Sequence, residues 1–134
     1  MKFSPKCLCL VLAIVLLTAK AYAASPCAGV KRSLTHQRKT ALAPAIARHL
    51  KAKNVDILQS FQSGGWSIFY VETHETDDVY VFYAHDPLTS RYVTLWGGMA
   101  DSDEGPAIKA WILKHAPGIP RSLASCFAWH VTQE

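Results

Sequence analysis

An α+β fold is predicted by three features of the chain: a four-stranded antiparallel meander with an N-terminal helix and two C-terminal helices, closed by one disulfide. Apolar residues recur every three to four positions near both ends, whereas the middle is rich in β-branched and aromatic residues. The segments in the middle are joined by short polar links, which suit antiparallel pairing because a parallel pair needs a long crossover. Two cysteines, Cys27 and Cys126, lie near opposite ends of that pattern.

The first element in order is a leader. Lys2 and Lys6 precede an apolar run from Leu8 to Leu17, and Ala21-Tyr22-Ala23 supplies the small-x-small pattern a signal peptidase reads. Residues 1–23 are therefore expected to be a secretory signal peptide. The apolar run, about ten residues, falls short of the roughly 20 that a membrane span needs. Residues 24–134 then make a single compact domain, and the protein is expected to be periplasmic or secreted. Cys7 and Cys9 leave with the leader. The remaining pair, Cys27 and Cys126, should join in an oxidising compartment, with Cα atoms about 4.4–6.8 Å apart. Closing a loop of about 100 residues restricts the unfolded chain by about 4.7 kcal/mol in a chain-entropy treatment.

The stretch Thr40–Lys51 reads as the first helix. Leu42, Ile46 and Leu50 form its stripe, Thr40 can cap it, and Pro44 then falls near the first turn, where a missing N–H costs least. A helix beginning near Leu34 would instead carry Pro44 in its interior and should be kinked by it. Four strands follow: Val55–Phe61, Trp66–Thr73, Asp78–His85 and Arg91–Gly97. Gly64-Gly65, the polar "HETD" and "DPLTS" supply the turns. Gly105-Pro106 suits a helix entry, with Asp101, Asp103 and Glu104 favourable at its positive end. Ile108, Trp111, Ile112 and His115 trace that helix's face; "PGIP" ends it, and Pro120 opens a last helix striped by Leu123, Cys126, Phe127 and His130. Three single-striped helices should cover one face of the sheet. The other face would then present some of Trp66, Tyr70, Tyr80, Tyr83, Tyr92 and Trp96 to solvent.

Charge is segregated. From Ala24 to Lys53 there are seven basic residues and no acid; from Asn54 to Glu104 there are nine acids against Arg91 alone. The whole chain is +4, but Lys2, Lys6 and Lys20 belong to the leader, which leaves +1. That balance gives no support to a nucleic-acid role.

The candidate sites are few. "HETDD" gathers His74, Glu75, Asp77 and Asp78, but His85, at the far end of an eight-residue strand, sits more than about 20 Å away, so no metal site is expected there. "DSDEG" lacks the rest of a calcium loop, because its twelfth position falls on Ile112. No G-x-S-x-G or S-x-x-K occurs, and Cys126 reads as a staple rather than a nucleophile even with His130 four residues on. Trp66, Trp96, Trp111 and Trp129 suit core packing better than sugar stacking. No cofactor is expected.

In format, an exported α+β domain with one disulfide, the chain resembles small periplasmic inhibitors and immunity proteins of Gram-negative bacteria. The resemblance carries no motif. It implies a protein-binding role against a basic, envelope-acting enzyme such as a peptidoglycan hydrolase. The contacts are expected on the acidic hairpin, at Glu72, His74, Glu75, Asp77 and Asp78, backed by Tyr80. The alternatives are a small envelope enzyme built on His130, His85 and the acids, or a lipid- or glycan-binding module.

Overall fold

The computed structural model describes residues 25–134; the expected leader lies outside the described residues. Helix α1 spans His36–Leu50, strands β1 to β4 span Asp56–Ser63, Trp66–Glu72, Val79–Tyr83 and Thr94–Trp96, and helices α2 and α3 span Gly105–His115 and Arg121–Gln133. The sheet is an antiparallel meander in the order β1-β2-β3-β4. The α+β architecture and the order of its elements are those read from the sequence. No helix among the described residues is long and apolar enough to cross a membrane.

Helix α1 begins a turn earlier than expected. Thr35, not Thr40, caps it, its hydroxyl accepting the Arg38 N–H at 3.1 Å. Pro44 is therefore interior. It deprives the Thr40 carbonyl of its helical donor, at a cost of about 3 kcal/mol in a typical helix. Both Pro44 and Thr40 are exposed, so water can take the donor's place. The opposite side of the helix buries Leu42, Ala45, Ile46 and Ala47, and that burial opposes the loss.

The β1–β2 link is a two-residue hairpin. Gly64 and Gly65 both have positive φ, 57° and 81°, and Ser63 pairs with Trp66 across them. The fourth strand is only three residues long, not the expected Arg91–Gly97. Its ladder starts where the Val93 N–H reaches the Phe82 carbonyl at 2.7 Å, and Gly97-Gly98, with Gly98 at φ 109°, ends the extended geometry. Upstream, the chain is held by Asp86, which accepts the Leu88 N–H and pairs with Arg38, both at 2.9 Å.

The expectation of one covered face is overturned. Helix α1 packs Leu42, Ile46 and Ala47 on Ile57, Phe69, Val71, Val81 and Tyr83. Helices α2 and α3 pack Ile108, Ile112, Leu123 and Phe127 on Phe61, Trp66, Ile68, Tyr80 and Phe82. The reason lies in the strands: β2 and β3 are apolar on both faces, so each face draws its own helical layer. Of the six aromatics expected on an open face, Trp66, Tyr80 and Tyr83 are buried, while Tyr70, Tyr92 and Trp96 are partly covered. Cys27 and Cys126 are bonded, with Cα atoms 4.5 Å apart. The bond ties the segment before α1 to the buried side of α3, and the Lys31–Gln62 bridge fastens the same segment to β1.

Candidate functional site

One cross-strand row organises the α3 face at its hairpin end. Gln59 pairs with Tyr70, Tyr70 with Tyr80, and Tyr80 with Trp96, so four strands contribute one residue each. Gln59 joins the row because β1 carries a bulge between Ile57 and Gln59. Without it, period-two alternation would point Ile57 and Gln59 to the same side; with it, Ile57 packs under α1 and Gln59 turns to α3. The bulge leaves Leu58 exposed.

The C-terminal end of α3 closes over this row. His130 is buried, and its Nε2 meets the Gln59 Oε1 at 2.8 Å while Nδ1 meets the Glu134 carboxylate. Its ring packs edge-on to Phe61 at 4.9 Å. Tyr70 and Tyr80 stack with centroids 4.3 Å apart, and Trp96 leans on Tyr80 at 5.9 Å. The Tyr70 hydroxyl donates to Asp78 at 3.3 Å. Burial pushes the Tyr80 phenol up to about 12, with the neighbouring Tyr70 adding to it. Burial, then the Asp78 carboxylate, raises Tyr70 as well. Both phenols therefore stay protonated at neutral pH.

Between the row, the end of α3 and the Gly97–Ala100 loop lies an open cavity of about 510 Å³. Asp78 and Glu134 supply carboxylates to its walls, and none of its lining residues is a lysine or an arginine. The loop beyond it is pinned to α3, Gln133 donating to the Ser102 carbonyl at 2.8 Å.

The residues expected to bind separate into three places. Asp78 and Tyr80 line this cavity. Glu75 and Asp77 line a second hollow of about 390 Å³ on the α1 side, with Leu50, Lys51 and Leu95. Glu72 and His74 turn toward β1, where the His74 Nε2 meets Asp56 at 2.7 Å and Nδ1 lies 3.6 Å from Glu72. The hydrogen bond to Asp56, then the Glu72 charge, raise the His74 imidazole above its ordinary value. His74 takes the left-handed conformation at φ 62°, where the Thr73 hydroxyl organises the turn by accepting the Thr76 N–H at 3.1 Å. One ligand atom from each of Asp56, Glu72 and His74 lies within 4.8 Å of the others, so these three could meet a cation, a grouping that the sequence, in which no metal site is expected here, does not single out.

Gln59 and Glu134 were not among the residues expected to bind, and Tyr70 and Trp96 were expected only as members of an open aromatic face. Tyr70 and Trp96 are visible as sheet aromatics, but the bulge that recruits Gln59 leaves no mark in the residue pattern. The enzyme alternative named His130, His85 and the acids, and a hollow uniting His130, Cys126 and an acid would have favoured it. His130 shares the cavity with Asp78 and Glu134, but Cys126 does not line it and is bonded to Cys27, and His85 is exposed elsewhere. No protein-family model, curated protein or solved structure matches the chain.

Proposed function

We propose that the protein is a binding protein, an inhibitor or immunity factor that occludes a basic, envelope-acting enzyme such as a peptidoglycan hydrolase. One observation carries the reading: two carboxylates, Asp78 and Glu134, share an open cavity with Tyr70, Tyr80 and Trp96. Aromatic anchors in a hollow with charges at its edge are what protein-binding hot spots are made of. Acidic Asp101, Asp103 and Glu104 follow directly on the loop that borders the cavity, and would steer a cationic partner toward it. The disulfide supports placement in an oxidising compartment, periplasmic or extracellular.

The enzyme alternative draws less support from the same cavity. Both ring nitrogens of His130 are engaged, and the hydroxyls on the walls are the two protonated tyrosines. General-base or nucleophilic work asks for a freer group. The test is to titrate the oxidised protein into cationic muramidases, amidases and endopeptidases acting on peptidoglycan. The reading expects at least one to be retarded at near-stoichiometric ratios, with association slowing about tenfold or more as salt rises. Undiminished activity across the whole set, at low salt, would reject it.

A further inference from the structure

We propose that the cavity between the Gln59–Tyr70–Tyr80–Trp96 row and the end of α3 is the receptor for an arginine side chain of the partner. This rests on the protein-binding reading above and names the chemistry it uses.

Charge comes first. Asp78 and Glu134 both line the hollow, and even with His130 protonated the three groups sum to a net negative charge. The cation that acts on Tyr80 from outside, Arg32, is already committed: its guanidinium lies 3.8 Å over the Phe61 ring and its Nε donates to the Ser60 carbonyl at 3.2 Å. It leaves the cavity carboxylates for an incoming cation.

Shape and surface chemistry then select among cations. Tyr70, Tyr80 and Trp96 give the hollow a π-rich wall, with Trp96 on the edge strand and only partly covered. A guanidinium stacks on such a ring and forks two N–H groups toward a carboxylate, whereas an ammonium is a strongly hydrated point charge that does neither as well. The acceptors are also set in place beforehand. Tyr70 holds Asp78, and His130, clamped by Gln59, holds Glu134. Little side-chain freedom remains to be lost on binding. The Arg32–Phe61 contact is an example of the same pairing within this fold.

The experiment titrates N-acetyl-arginine-N-methylamide, and separately its uncharged citrulline counterpart, into the oxidised protein while following the Trp96 indole and the Gly97 and Gly98 amides by NMR. The arginine probe is expected to shift these signals saturably in the millimolar range, at least fivefold more tightly than citrulline. Asp78→Asn, which keeps an oxygen for Tyr70, and separately Glu134→Gln should each weaken the arginine probe at least threefold. Equal affinity for the two probes, or shifts that avoid Trp96, would overturn the proposal. So would arginine binding unchanged in both variants with their spectra otherwise intact. The two readings fail separately. Arginine capture without retardation of any hydrolase removes the inhibitor reading and leaves the receptor, whereas retardation that Asp78→Asn and Glu134→Gln leave unaltered removes the receptor alone.

Discussion

The two faces of the sheet are built from the same four strands yet differ in character at the row nearest the 73–78 hairpin. Under α1, the row nearest the 73–78 hairpin, Ile57, Val71 and Val79, is apolar throughout; polar residues come at the opposite end, where Gln62 and Ser67 share a row with Tyr83, whose hydroxyl meets the His49 Nδ1 at 2.7 Å. Under α3, the row through Phe61, Ile68 and Phe82 is dry, but the next row toward the hairpin ends in an amide, two phenols and an indole. The contrast separates what holds the fold from what the proposed binding role would use. Apolar rows on both faces attract the helices, and the cavity lies where the α3-side row nearest the hairpin turns polar and α3 meets it with His130 and Glu134 instead of apolar residues. Departures from local rules of this kind are where a functional site is sought first.

The contrast can be broken or sharpened in order of effect. Phe127 touches Phe61, Tyr80, Phe82 and Trp96, so it joins the dry part of the face to the polar row. Phe127→Ala should cost about 3–5 kcal/mol by urea unfolding. A loss under about 1 kcal/mol would mean that the α3 layer does not carry the fold. Replacing Cys27 and Cys126 together with alanine should cost roughly 2–4 kcal/mol, a typical range for a native bridge. An unchanged midpoint would show that the Lys31–Gln62 bridge and Val30 packing suffice to hold the segment before α1. Gln59→Leu leaves the buried His130 Nε2 without its partner and should cost about 1–3 kcal/mol. A neutral or stabilising result would make the row ordinary core.

The smallest effect lies outside both faces. The Asp56 hydrogen bond and the Glu72 charge raise His74 above 6.5, so the folded protein favours the protonated ring. That contribution is complete below the unfolded value and is lost as pH rises through the raised folded value. Relative to His74→Asn, the native thermal midpoint should therefore decline slightly from about pH 6 to about pH 8. A difference that grows with pH would reverse the sign and remove the Asp56–His74 contact from the account.

Much of the architecture was legible because it follows from periodicity and turns. The β2 and β3 sequences are too aromatic and branched to be helix, and Gly64-Gly65 fits a tight hairpin. Three features were hidden. Pro44 pointed to a helix start near Thr40, yet burial of Leu42, Ala45 and Ile46 outweighs an interior proline whose missing bond faces water. The number of covered faces was misjudged by counting helices, when the apolar residues on both sides of β2 and β3 already called for two layers. The site was only partly visible. Asp78 and Tyr80 stood out as an acid and an aromatic on one strand, but Gln59 enters through a bulge, and His130 with Glu134 arrive from the other end of the sequence. Local patterns do not record such long-range meetings.

Hydrogen exchange of the protein in complex with a cationic peptidoglycan hydrolase that it retards tests the central claim most directly, that the polar row is the working surface and the α1 face is structural. The account predicts slowed exchange in residues 97–100 and 130–134 and in the 73–78 turn, with the amides of His36–Leu50 unchanged. Protection concentrated on α1, with the Gly97–Ala100 loop and the end of α3 exchanging as in the free protein, would contradict it.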